Sequence, residues 1–123
     1  MAKKILVVDD SPTDNKAMCD LMTAHGFEAI SAASGEESLK LAGALKPDLV
    51  LMDVVMPGMN GFQACKALGK EESTAKIPVL MVSNKHQETD VMWASKQGAK
   101  GYFAKPIDEK ALMSKVRELT AGF

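Results

Sequence analysis

The sequence predicts an α/β domain in which a parallel sheet is covered by helices on both faces. Short apolar runs recur, and each stops at a polar residue: Ile5 to Val8 before Asp9, Leu49 to Met52 before Asp53, and Ile77 to Val82 before Ser83. Continuous runs of this kind suit strands buried on both faces, as in a parallel sheet. Longer segments with apolar residues at helical spacing lie between them. Alternation of the two implies right-handed crossovers that put helices on either side of the sheet.

Ile5 to Val8 is the first strand. Met18, Leu21, Met22 and His25 then fall at i, i+3, i+4 and i+7 of a helix that Gly26 stops. Asp10, or Ser11 ahead of Pro12, can cap that helix, because Pro is favoured at the first helical position. Phe27 to Ala32 is a weaker strand. Ser34 with Glu37 three residues on forms a capping-box signature for a helix to about Leu45, which Pro47 ends. After the strand Leu49 to Met52, a short helix fits Phe62 to about Lys70. The run Ile77 to Val82 precedes a helix over Glu88 to Gln97 with Gly98 as its stop, and Gly101 to Ala104 is a second weaker strand. Asp108 caps the last helix, whose Leu112, Val116 and Leu119 share one stripe.

Composition bounds the function. The 123 residues are 46% hydrophobic and 25% charged, which describes one soluble globular domain over residues 1–123. A chain of this size buries roughly two-thirds of its unfolded surface and needs no disulfide or metal to hold a core. With 15 basic and 16 acidic residues there is no basic surface to drive counterion release, so DNA is not an expected partner. The longest stretch free of Asp, Glu, Lys and Arg, Val54 to Cys65, contains Pro57, Gly58 and Gly61 and is far short of the ~20 residues of a spanning helix. Membrane insertion is not expected. The apolar run after Lys3 and Lys4 stops at Asp9, too early for a signal peptide, so a cytoplasmic location is expected. Cys19 and Cys65 both fall in helical stretches and are expected to stay reduced.

The polar residues at the strand ends carry the chemistry. Asp9 and Asp10 follow the first strand, Asp53 the third and Ser83 the fourth, and Lys105-Pro106 follows the fifth. In a doubly wound sheet the working site lies beyond the carboxyl ends of the strands, so these residues converge. Like charges about 4 Å apart repel by ~4 kcal/mol at an effective dielectric near 20, and three carboxylates need compensation. Lys105 supplies one positive charge, and the remaining negative charge suits a hard divalent cation. Oxygen ligands without His or Cys favour Mg²⁺ over zinc. Such a site suggests phosphoryl chemistry, in which an Asp carboxylate can be the nucleophile. Asp53 is central, the turn from Met56 to Gly61 leaves room for a phosphate, Ser83 can donate a hydrogen bond to it and Lys105 can pair with it. Taken singly, each residue has an ordinary reading: a helix cap for Asp10 or Ser11, a turn residue for Asp53, a satisfied loop hydroxyl for Ser83, a solvated lysine for Lys105. Their joint placement favours a site.

The segments Val7-Val8-Asp9-Asp10-Ser11 and Asp48-Leu49-Val50-Leu51-Met52-Asp53, the following Val54-Val55-Met56-Pro57-Gly58-Met59-Asn60-Gly61, and Ser83 with Lys105-Pro106 together resemble the receiver domain of two-component response regulators, across the whole chain. The resemblance implies a doubly wound, flavodoxin-like or CheY-like fold, with a five-stranded parallel sheet of order 2-1-3-4-5 and five helices. It implies that Asp53 is the phosphoacceptor for a CheA-like histidine kinase. Asp9, Asp10, Asp53 and the backbone carbonyl of Val55 would hold Mg²⁺. Ser83, Lys105 and the aromatic Tyr102 would form the phosphate-responsive switch. Val91, Ser95, Ala99 and Tyr102 would lie on an output face, made of the fourth helix, fifth strand and fifth helix, that meets a downstream protein.

The chain ends at Phe123 just after the last helix, so no output domain is expected and the signal would leave by contact. Asp53 to Gly61 with Phe62-Gln63-Ala64-Cys65, and Gln87-Glu88-Thr89-Asp90 with Trp93, resemble the PilH-type receivers of chemosensory systems that control type IV pilus twitching, with flagellar chemotaxis next. Val55 and Lys85 flank the approach of an attacking water in the family, and an apolar Val55 implies slow to moderate self-dephosphorylation. Trp93 either covers core surface or anchors a partner. Met18 and Met22 read as core, Met56 and Met59 as loop residues that meet a kinase. His25 and His86 take no role.

Other functions fit less of the chain. A phosphate sink would use the same chemistry to drain a shared kinase. A flavodoxin-like FMN carrier would want a Gly-containing phosphate cradle after the first strand, where Ser11-Pro12-Thr13-Asp14 has none. An aspartyl-nucleophile phosphatase lacks its second Asp two residues after Asp53, where Val55 stands.

Overall fold

A computed structural model describes residues 2–85 and 87–121, so His86 and Phe123 lie outside the described residues. The chain alternates β1 (Lys4–Val8), α1 (Pro12–Ala24), β2 (Glu28–Ala32), α2 (Gly35–Leu45), β3 (Leu49–Met52), α3 (Gly61–Lys70), β4 (Val79–Ser83), α4 (Glu88–Lys96), β5 (Gly101–Ala104) and α5 (Glu109–Thr120). The strands form one parallel sheet of order β2-β1-β3-β4-β5. The expected α/β architecture and strand order are both present.

The two faces of the sheet are read directly from the alternation along the strands. Leu6, Val8, Val50, Met52 and Met81 face one way and pack with Ala42 of α2, Ala64, Cys65 and Leu68 of α3, and Ala94 of α4. Ile5, Val7, Leu49, Leu51, Leu80 and Val82 face the other way, onto Met18 and Met22 of α1 and Leu112, Met113 and Val116 of α5. Central strands are therefore apolar at every position because helices cover both sides. β2 and β5 are the sheet edges and are only partly buried, which is why their runs are the weaker strand signals.

Local chemistry sets the helix ends. Ser11 rather than Asp10 caps α1, accepting from the Asp14 backbone N–H at 3.3 Å with Pro12 at the start of the helix. Ser34 accepts from the Glu37 N–H at 3.0 Å, while the Glu37 carboxylate accepts from the Ala33 N–H, one residue further out than a capping box expects. The fourth strand starts at Val79, not Ile77, because Pro78 lacks the N–H a central strand needs; its carbonyl still accepts from the Val50 N–H at 2.9 Å. It runs on through Ser83, one residue past the expected end.

α3 starts at Gly61 through a reciprocal Asn60–Gln63 capping box, one residue earlier than the apolar pattern suggests. Gly61 has a specific reason to be glycine. A Cβ there would clash with the Asp53 carbonyl oxygen, and the Gly61 N–H donates to the Val54 carbonyl at 2.8 Å. The helix start is thus pressed against the backbone that carries Asp53. Gly61→Ala is expected to cost about 1–3 kcal/mol, the range for forcing a methyl into a packed interior. Urea unfolding monitored by far-UV circular dichroism checks this; an unchanged midpoint would refute the close approach.

Candidate functional site

Strand register brings the polar residues together. Val8 pairs with Met52, so Asp9 and Asp53 leave neighbouring strands at the same level, and the Asp53 N–H donates to the Val8 carbonyl at 2.9 Å. Ser83 pairs with Ala104, and the Lys105 N–H donates to the Ser83 carbonyl at 2.9 Å. One edge of the sheet therefore collects Asp9, Asp53, Ser83 and Lys105 from four strands. Asp9 and Asp53 are 7% and 9% exposed, Asp10 is exposed, and Ser83 is buried. Asp9, Asp10 and Asp53 each offer a carboxylate oxygen within 4.8 Å of the others, with no His or Cys among them. An all-oxygen set of this charge and spacing fits a hard divalent cation.

Lys105 spans 96 positions of sequence to donate to Asp9 Oδ2 at 2.8 Å. Asp53 Oδ2 is 3.8 Å from the same ammonium. Burial alone would lower the Lys105 pKa, but the hydrogen bonds to Asp9 and Asp14 and the charge of Asp53 raise it, so the side chain stays cationic. Burial pushes the Asp53 carboxyl above the ordinary aspartate range; the Lys105 charge opposes this and the Asp9 charge reinforces it. Ser83 Oγ accepts from the Lys85 N–H at 3.2 Å, and the Lys85 ammonium pairs with Asp90 on α4 at 3.3 Å.

Tyr102 is half-buried, and its hydroxyl is buried near Ser83 with no hydrogen bond of full geometry among the described residues. Burial pushes the pKa of its phenol above the ordinary value and keeps the group protonated. Val91 and Ser95 are exposed on α4, and Ala99 is half-buried beyond it. Trp93 is 51% exposed with the Lys96 ammonium 6.0 Å from its ring centre, so it does not cover core. Val55 is 59% exposed. Met56, expected to face outward, is buried among Met52, Val54 and Ala64, and Met59 packs half-buried against the same cluster. Hydrophobic burial therefore leaves Val55 as the apolar residue the loop presents to solvent. Burial lifts the Cys65 thiol to about 11, which keeps it protonated and unreactive.

Asn15 was not singled out by the sequence. It is buried on α1, and its Nδ2 donates to the carbonyls of Asp9 at 3.0 Å and Ala32 at 2.9 Å, while its Oδ1 accepts from Ser31 Oγ at 2.7 Å. It ties the ends of β1 and β2 together directly behind Asp9 and Asp10. The one available signal was a polar residue at i−3 from Met18, on the face of α1 that otherwise buries.

A sequence model described as the response regulator receiver domain matches residues 5–117. The chain is 45% identical to Protein PilH of Pseudomonas aeruginosa over 119 residues, covering 97% of this chain and 98% of that one. It is 36% identical over 120 residues to the response regulator PleD of Caulobacter vibrioides, of which it covers 26%. The structure of the chemotaxis protein CheY4 of Vibrio cholerae superposes with a TM-score of 0.90 at 28% identity, covering 97% of this chain and 99% of that one.

A raised Asp53 pKa means that the folded state binds this proton more tightly than the unfolded chain. Ionisation of Asp53 therefore opposes folding, and stability falls as pH rises from the unfolded value of 3.8 through the folded one. Asp53→Asn is expected to raise the melting temperature at pH 7 in the presence of a chelator, with the gain shrinking as acid protonates the native carboxyl. Thermal denaturation of both proteins from pH 3.5 to 7.5 checks this; a gain independent of pH would assign it to something other than the carboxylate.

Proposed function

Since the chain belongs to the response regulator receiver domain family, we propose that it is a signalling switch whose Asp53 accepts a phosphoryl group from a histidine kinase. The observation that carries this reading is the meeting of three carboxylates with one ammonium at the carboxyl edge of the sheet. In the transfer, an Asp53 Oδ attacks phosphorus, the phosphorus–nitrogen bond to the donor imidazole breaks, and the imidazole nitrogen keeps the electron pair and takes a proton. Asp9, Asp10, Asp53 and the Val55 carbonyl would hold Mg²⁺, whose contribution is to neutralise the charge gathering on the phosphoryl oxygens. Lys105 approaches one of those oxygens from its position 3.8 Å from Asp53. Ser83, whose oxygen accepts from the Lys85 N–H, donates its hydroxyl proton to another.

Response follows from the differential contacts of the two states. The new group adds about −1.5 to −2 charge beside Ser83 and Lys105. The buried Tyr102 hydroxyl lies beside Ser83, so the balance of that side chain shifts when Ser83 moves. Val91, Ser95, Ala99 and Tyr102 form the output face for a downstream protein, with exposed Trp93 beside it on α4. The phosphodonor is a CheA-like kinase and the pathway is control of type IV pilus twitching, readings supported by the 45% identity with PilH. No described helix is long and apolar enough to cross a membrane, and a cytoplasmic site of action accords with that. The chain works as a regulator that promotes its own phosphorylation and dephosphorylation, not as an enzyme on external substrates.

Incubation with acetyl phosphate and Mg²⁺ is expected to add the mass of one phosphoryl group, absent in Asp53→Ala and in the presence of a chelator. Intact mass spectrometry reads the result, and an unmodified wild type would overturn the reading.

An apolar, exposed Val55 offers no hydrogen bond to orient an attacking water. Val55→Asn is expected to speed loss of the phosphoryl group several-fold, as one added hydrogen bond of about 1 kcal/mol implies. The decay of the acyl phosphate measures this; an unchanged rate removes the idea.

A further inference from the structure

An ammonium carries three N–H donors, and two of those on Lys105 are committed to carboxylates. One goes to Asp9 Oδ2 at 2.8 Å and the other to Asp14 Oδ2 at 3.0 Å. Asp53 Oδ2, at 3.8 Å, is outside hydrogen-bond reach. Asp9 belongs to the acidic trio that can hold a cation, whereas Asp14 does not. Asp14 sits in the first turn of α1, fixed by the Ser11 cap on its own N–H, and it lines the same cavity of about 540 Å³ as Asp53 and Lys105. The Lys105 side chain is only 13% exposed, while that of Asp14 is 47% exposed. A nearly buried cation is therefore anchored from the solvent rim by a carboxylate outside the reaction centre.

We propose that Asp14 is a positioning residue for Lys105, tethering its ammonium in the unphosphorylated protein and competing for it with the oxygens of a phosphoryl group on Asp53. This rests on the reading of Asp53 as phosphoacceptor. Only contacts that are stronger in the phosphoryl-bound state favour that state. A contact made by Lys105 before the group arrives, and surrendered as it arrives, subtracts from what Lys105 can contribute. Asp14 supplies such a contact from α1, 91 residues away in sequence. It holds the switch towards its resting state, with a strength set by its partial exposure to water.

Beryllium fluoride with saturating magnesium chloride is a stable mimic of the phosphoryl group, and calorimetric titration reads its affinity. Asp14→Asn is expected to bind it about two- to fivefold more tightly than wild type, the range for a solvent-accessible ion pair. In a Lys105→Met background the same substitution should change nothing, because the residue it acts through is gone. A gain of equal size in that background would mean diffuse charge repulsion and would overturn the proposal, as would no gain in the single variant.

A second measurement needs no ligand. The ¹³Cε–¹Hε NMR signal of Lys105, identified by its loss in Lys105→Met, should move in Asp14→Asn; an unmoved signal also overturns the tether. Thermal melting verifies that each variant is folded. If wild type binds the mimic no better than Asp53→Ala, the phosphoacceptor reading fails and takes the tether with it. If wild type binds and Asp14→Asn matches it, the tether alone fails.

Discussion

The structure depends on balancing like charge at one edge of the sheet. Folding places carboxylate oxygens of Asp9, Asp10 and Asp53 within 4.8 Å of one another, and two like charges about 4 Å apart repel by about 4 kcal/mol at an effective dielectric near 20. That is a large fraction of the 5–15 kcal/mol by which a domain of ordinary stability stays folded. Lys105 relieves part of it, and its own pKa rises as it does so. The Asp53 carboxyl is nevertheless displaced upward, chiefly because burial disfavours its charge and to a smaller extent because Asp9 is near. A divalent cation held by these carboxylates would remove a penalty that the three charges otherwise carry.

Holding the charges in that arrangement is the work of backbone, and the backbone is pinned from both faces. On one face, α3 begins with Gly61 against the Asp53 carbonyl, leaving no space for even a methyl group. On the other, Asn15 of α1 donates to the carbonyl of Asp9, just past β1, and to that of Ala32, the last of β2. Both contacts sit one residue from, or at, an acidic residue of the trio, so the carboxylates cannot drift apart without breaking a helix start or burying an unsatisfied amide. Rigid support of this kind is what lets a repulsive cluster persist beside a core that is otherwise apolar.

Much of the architecture was legible because its causes are local. Apolar runs marked β1 and β3, and caps such as Ser34 and Asp108 marked helix starts, because each depends on neighbours a few residues away. Convergence of Asp9, Asp53, Ser83 and Lys105 was legible one step further on, since a parallel sheet sends every carboxyl end to the same edge. What escaped depends on partners the pattern does not reveal. Asn15 answers the carbonyls of Asp9 and Ala32 and is marked locally only as a polar residue on the buried face of α1, while Asp14 answers a lysine 91 residues away with no local mark. Met56 turned inward because the loop after Asp53 closes over the core, and loop conformation leaves no periodic trace. The start of β4 was misjudged for a plainer reason: apolar character extends past Pro78, but hydrogen bonding does not.

The sheet edge and the start of α4 are coupled through few atoms. Ser83 is the last residue of β4, its hydroxyl accepts from Lys85, and Lys85 holds Asp90 in the first turn of α4. Asp90 in turn accepts from the Gln87 N–H at 3.0 Å, closing the capping box of that helix. A rearrangement of Ser83 therefore reaches the α4 N-terminus through two polar contacts. A change worth 1–2 kcal/mol, about the worth of one hydrogen bond, is enough to shift a two-state equilibrium roughly five- to thirtyfold. Because α4 is attached to the site by polar contacts and to the core by little more than Ala94, it is the covering helix that a charge change at Asp53 can move with least loss of packing.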